Sequence, residues 1–238
     1  MQREVVRDLF GVESELISVA HELKTPLCLI RQLAFSLRND LSEREMMKIA
    51  EQISVTSERA LRMVNELTKV ARLEDALFDL EPVNPKRICE QAVKELEGYF
   101  AMNHRKLNVR YSNNFKLVVA NPELLASIVY NLCGNAMYYS EKDTPSEMFV
   151  KSVDFGHKVR IGVRDFGPSL PMNIYRHLKT GFLKAPTSIA MRPGSSGLGL
   201  YIVSRFAKYM HGRVGATRHD DGTTLFVDLL ASNQRSLF

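Results

Sequence analysis

The sequence predicts two domains of different class, an α helical hairpin over residues 1–78 and an α/β sandwich with a mixed sheet over 79–238. Three observations predict it. Ile49, Ile53, Thr56, Ala60, Met63, Leu67 and Val70 step by 4, 3, 4, 3, 4 and 3 residues, an unbroken heptad seam. Pro82 and Pro85 end the helical pattern inside Leu80-Glu81-Pro82-Val83-Asn84-Pro85, which reads as a short linker. Beyond it, helical and strand-like segments alternate, as in a domain with its own sheet and core.

The elements follow in order. Residues 3–38 read as one long helix, with Ile17, Ala20, Leu23, Leu27, Ile30, Ala34 and Leu37 at helical spacing and a bend expected at Pro26. Asn39, Asp40 and Ser42 interrupt it, and Glu45 sits three residues after Ser42 as in a capping box. A second helix of about 43–76 carries the heptad seam. Two helices joined by a short turn bury only one seam against each other, so pairing with a second copy is expected, giving a four-helix homodimeric bundle. In the second domain, helices are predicted over Lys86–Phe100, Pro122–Ser140 (capped by Asn121) and Leu198–His211. Strands are predicted over Leu107–Tyr111, Phe115–Val119, Met148–Phe155, Val159–Asp165, Arg213–Arg218 and Thr223–Leu230. Residues 168–196 show no clear pattern.

Composition narrows the function. With 45% hydrophobic and 25% charged residues the chain is globular, and no apolar run approaches the length of a membrane span. Residues 1–77 hold 11 Lys+Arg against 13 Asp+Glu, and the remainder holds 21 against 14, so the second domain is the basic one. That suits an anionic ligand such as a nucleotide. No basic stripe interleaved with aromatics marks a nucleic-acid surface, and none is expected. Cys28, Cys89 and Cys133 lack metal-ligand spacing, and so sparse a set suits a reducing cytoplasm.

Four stretches carry chemistry. In His21-Glu22-Leu23-Lys24-Thr25-Pro26 a titratable imidazole adjoins a carboxylate, with a hydroxyl one helical turn on. It is no zinc-protease helix, because Thr25 stands where a second histidine is required. Asn131 and Asn135 share a helix face, so their amide oxygens can converge on a hard cation and its phosphates. Asp165 of Asp165-Phe166-Gly167-Pro168 ends an apolar strand, where a carboxylate can accept from an exocyclic amine. Gly194-Ser195-Ser196-Gly197-Leu198-Gly199-Leu200 opens a helix whose N-terminal N–H groups attract phosphate, but it is neither a Walker A loop nor a dinucleotide fingerprint. Taken singly, each also reads as ordinary helix surface, turn or core.

In this order the four stretches resemble the H, N, G1 and G2 boxes of the sensor histidine kinases of two-component systems, over about residues 13–230. The resemblance implies a dimerisation and histidine-phosphotransfer bundle followed by a Bergerat-type ATP-binding domain, with ATP and Mg2+ as cofactors and a response-regulator receiver domain as partner. By position, His21 resembles the phosphoacceptor, Glu22 its proton acceptor, and Thr25 the residue that positions water for dephosphorylating the partner. Asn131 and Asn135 resemble the asparagines at phosphate and Mg2+, with Asn135 on the metal. Asp165 resembles the adenine-binding aspartate, Gly167 its neighbour at the base, Gly197 and Gly199 the lid glycines, and Thr224 a residue beside the adenine pocket.

Some positions depart from the pattern. Tyr138 stands where a lysine is usual, Ser169 replaces the second glycine of G1, and the last strand ends in Leu229-Leu230 rather than Leu-Pro. These departures motivate one competing reading, a non-catalytic nucleotide-sensing scaffold. Another is a Bergerat-type ATPase, which requires a glutamate near the two asparagines; Glu123 lies eight residues before Asn131.

Overall fold

The computed structural model describes residues 20, 23–38, 41–75, 77–112, 115–140, 144–180 and 198–234. These fall into two compact units that divide near Arg72, one helical and one α/β.

The helical unit contains α1 (23–36) and α2 (Glu43–Arg72). Within α1 the helix is continuous through Pro26, and Leu23, Pro26, Ile30 and Leu33 form its half-buried side, whereas Leu27 is exposed. Before α2 the capping box forms: Ser42 N–H donates to Glu45 Oε2 at 2.9 Å and Glu45 N–H to Ser42 Oγ at 3.4 Å. Every member of the heptad seam is half-buried or buried. Beside it, Met47 and Leu61 are 69% and 64% exposed, and Met46 and Val64 are exposed too.

The α/β unit starts with β1 (Glu81–Val83), which pairs antiparallel with β3 (Val118–Ala120). Its main sheet has five strands in the order β2 (Leu107–Tyr111), β4 (Ser146–Val153), β5 (Lys158–Asp165), β7 (Gly222–Leu230), β6 (Arg213–His219). Only β2 and β4 run parallel, so the sheet is mixed. α4 (Pro122–Tyr139) packs on β4 and β5, with α3 (Pro85–Met102) beside it against β2. Two further helices follow, α5 (Met172–Thr180), which lies against β6, and α6 (Leu198–Tyr209). α5 lies inside the stretch that shows no pattern in the sequence, and β1 inside the stretch read as a linker.

Alternation sorts the sheet into two faces. Val159, Ile161 and Val163 of β5 pair with Leu229, Val227 and Leu225 of β7, and all six are buried, as are Leu124, Leu125, Ile128 and Leu132 of α4. Truncating one of them, Ile128→Ala for instance, should cost about 2–5 kcal/mol. On the opposite face Arg160 makes a two-pronged ion pair with Asp228, at 2.7 and 2.8 Å, and lies 3.5 Å over the Phe226 ring.

The α4 start explains how the site is aimed. Asn121 Oδ1 accepts the N–H groups of Glu123 and Leu124 at 3.0 and 3.1 Å, and Pro122 occupies the first helical position, where no N–H is needed. Such a cap contributes about 1 kcal/mol and sets the rotation of the helix that carries Asn131 and Asn135.

Candidate nucleotide site

Asn131, Asn135 and Tyr139 stand at successive turns on one face of α4. Asn131 Nδ2 donates to the Ser127 carbonyl at 2.9 Å. Opposite lies the first turn of α6, where a Cβ built at Gly199 would stand 2.8 Å from Asn131 Oδ1 and 3.8 Å from Asn135 Oδ1. Asn135 Nδ2 is buried and makes no hydrogen bond among the described residues. Leaving a buried donor unpaired costs about 1–3 kcal/mol, so the amide fits an incoming acceptor such as a phosphate oxygen.

Asp165 ends β5 and is only 5% exposed. Burial pushes its carboxyl up to about 6, against the opposing pull of N–H donors from Gly167 and Thr223. The Gly167 N–H reaches Asp165 Oδ1 at 3.2 Å. A Cβ at Gly167 would collide with the Tyr139 carbonyl oxygen, so only glycine lets this loop close on the end of α4. A buried carboxylate with open acceptor capacity, beside a glycine and a tyrosine, can take a flat ring bearing an exocyclic amine.

Thr224 is placed differently from its expected position beside an adenine pocket. In the β5–β7 ladder Thr223 is opposite Asp165 and Thr224 opposite Arg164, so Thr224 points to the other sheet face. There its hydroxyl hydrogen-bonds His219 Nε2 at 2.8 Å. Thr223 is the threonine on the Asp165 side. The alternation of Thr223 with the buried Leu225, Val227 and Leu229 was the available signal. Tyr139 was also missed, although it continues the spacing of Asn131 and Asn135.

The structure therefore brings together Asn131, Asn135 and Gly199 at one end of the site and Asp165, Gly167 and Thr223 at the other. His21, Glu22 and Gly197 lie outside the described residues. Thr25 is exposed on α1 in the helical unit. Among the described residues no cluster of His, Cys, Asp and Glu could hold a metal by itself, so a divalent cation at Asn135 would have to arrive with phosphate oxygens.

Comparison with known proteins matches residues 120–233 to the family described as histidine kinase-, DNA gyrase B-, and HSP90-like ATPase, and residues 15–76 to the His Kinase A (phospho-acceptor) domain. The chain belongs to the sensor histidine kinases. The phospho-acceptor match does not favour the scaffold and ATPase readings. Among relatives of this kinase-family chain, the sensor protein QseC of Escherichia coli O157:H7 is 29% identical over 198 residues, 81% of this chain and 41% of that protein. The hybrid signal transduction histidine kinase K of Dictyostelium discoideum is 24% identical, over 87% of this chain and 18% of its own length. The chain thus spans less than half of these relatives. Solved structures share the fold. ShkA in complex with AMPPNP has a TM-score of 0.63 at 18% identity, covering 94% of this chain and 47% of that one. Acinetobacter baumannii AdeS has a TM-score of 0.61 at 16% identity, covering 90% and 98%. The histidine kinase ThkA, solved in complex with the response regulator TrrA, has a TM-score of 0.61 at 15% identity, covering 95% and 64%.

Proposed function

We propose that the chain is an ATP-dependent protein-histidine kinase that autophosphorylates His21, passes the phosphoryl group to an aspartate of a response-regulator receiver domain, and also dephosphorylates that partner. The observation that carries this reading is the two-ended site beside α4: a buried carboxylate at Asp165 on β5, and an asparagine pair on α4 with an unpaired buried donor facing Gly199. Its residues fit Mg-ATP. Asp165 would accept from the exocyclic amine of adenine, with Gly167 and Thr223 beside the base. Asn131 and Asn135 would face the phosphates, with Mg2+ at Asn135 and the lid glycines Gly197 and Gly199 closing over them. Bound Mg2+ supplies charge neutralisation to the phosphates, the main electrostatic need of phosphoryl transfer. A ring nitrogen of His21 forms the P–N bond as the bond from the γ-phosphorus to the bridging oxygen breaks, and ADP departs. Glu22, next in sequence, takes the N–H of the other ring nitrogen and offsets the charge that the ring gains.

The division at 78/79 assigns dimerisation and phosphotransfer to the first part and ATP binding to the second. The exposed Met47, Leu61 and Val64 suit burial against a second copy, giving the homodimeric bundle. Among the described residues no helix is long and apolar enough to cross a membrane. The sparse cysteines suit a reducing compartment, and on that ground we place the segment in the cytoplasm. The binding reading is tested by calorimetry with Mg-ATP and Mg-ADP. Asp165→Asn should weaken both, by about tenfold to a hundredfold for one charge-assisted bond of roughly 1.5–3 kcal/mol, and unchanged affinity would place the pocket elsewhere.

A further inference from the structure

Ser169 replaces the glycine that the G1 pattern carries, and the structure gives its hydroxyl a use. The Asp165–Leu170 loop meets the β6–β7 turn at three points. Ser169 Oγ donates to the His219 carbonyl. The Leu170 N–H donates to Thr223 Oγ1 at 2.9 Å. At Gly222, where φ is +149°, an added Cβ would run into the Asp165 carbonyl oxygen. The turn is closed on its far side by the His219–Thr224 bond at 2.8 Å. We propose that Ser169 is a positioning residue, whose hydroxyl latches this loop to the β6–β7 turn and so holds the Asp165 carboxylate in place for the nucleotide base.

The physical reason is preorganisation. Asp165 is tied at its own position by pairing with Thr223 and by the Gly167 N–H. The loop beyond it has no regular secondary structure until α5 begins at Met172. A glycine at 169 brings no side-chain donor and adds backbone freedom, so ordering the loop would then fall on the binding step. The serine shifts that ordering into folding. Ser169 is half-buried and acts through Asp165 rather than on the ligand.

This inference rests on the nucleotide reading, and a double-mutant cycle separates the two. Mg-ADP affinity is measured by calorimetry on the full chain and on Ser169→Ala, Ser169→Thr, Asp165→Asn and the Ser169→Ala/Asp165→Asn pair, with melting temperatures alongside. Ser169→Ala should weaken Mg-ADP about tenfold, while Ser169→Thr, which keeps the hydroxyl, should stay within about threefold. In the Asp165→Asn background Ser169→Ala should cause no further loss, because residues that act as one unit are not additive. Equal losses in both backgrounds, or an unchanged affinity for Ser169→Ala, overturn the latch and leave the pocket standing. Unchanged affinity for Asp165→Asn overturns the nucleotide reading and the latch with it.

Discussion

Gly199 and Asn131 meet edge to edge: a Cβ on Gly199 would sit 2.8 Å from Asn131 Oδ1, tighter than side chains tolerate. Asn131 cannot easily give way, because its amide nitrogen is already held by the Ser127 carbonyl at 2.9 Å. Gly199→Ala should therefore push the first turn of α6 from α4 just where the phosphates are proposed to lie. The clash works against alanine's better helix propensity of up to about 1 kcal/mol, so the melting temperature should change little or fall slightly. Nucleotide affinity should fall about tenfold. Calorimetry beside a thermal melt checks both, and unchanged affinity would detach this contact from the phosphate end of the site.

Asp165 makes nucleotide binding sensitive to pH. Its carboxyl is raised by burial from 3.8 to about 6. Between those values the folded chain binds a proton that the unfolded chain does not. The stability from this group is therefore greatest below the window and is lost as pH rises through it, by up to about 3 kcal/mol. Binding runs the other way, since only the ionised carboxylate offers full acceptor strength to an amine. Mg-ADP affinity should fall as pH drops through about 6, in line with the raised carboxyl. The nucleotide phosphate also titrates near there, so the control is Asp165→Asn. An acid limb that persists unchanged in that variant would belong to the ligand.

Much of this architecture was legible, and the exceptions have physical causes. The seam from Ile49 to Val70, the Ser42–Glu45 box and the Asn121 cap are local patterns, and each appears where the spacing puts it. Strand β2 matches residue for residue. α5 escaped notice because, among its described side chains, only Ile174 and Leu178 are buried, too few to show a period, just beyond Pro171. β1 is three residues long and contains Pro82, which an edge strand tolerates and a composition reading takes for a linker. The site was legible as a set of residue types but not as a set of contacts. Two adjacent threonines are equivalent in composition, and only pairing with Asp165 and Arg164 tells Thr223 from Thr224. The Ser169–His219 and Gly167–Tyr139 contacts join residues far apart in the chain and leave no local mark.

The exposed stripe on α2 predicts its own partner. Leu61 is 64% exposed beside a seam that is itself mostly half-buried, and Val64 follows one turn on. Sedimentation of the whole chain should show a homodimer, and Leu61→Asp with Val64→Asp should shift it to monomer without unfolding the α/β unit. A wild-type monomer at micromolar concentration would refute the bundle.

Thr25 separates two activities. It is exposed on α1, one turn beyond His21 in sequence, where a phosphorylated receiver would have to dock. A hydroxyl both donates and accepts, so it suits orienting a water toward an acyl phosphate. Thr25→Ala should keep autophosphorylation and phosphotransfer within a few-fold. Dephosphorylation of the receiver should slow tenfold or more, about 1.4 kcal/mol. Loss of both activities with a lowered melting temperature would instead leave Thr25 as a packing residue beside Pro26.

The most direct measurement is of the phosphoryl group itself. Incubation with γ-labelled ATP and Mg2+ should place on the chain a label that is lost in acid and kept in alkali, as a phosphoramidate behaves. The label should be absent from His21→Gln, while that variant still binds Mg-ADP with wild-type affinity. Label that survives His21→Gln, or an acid-stable label, would contradict the assignment of His21 as phosphoacceptor.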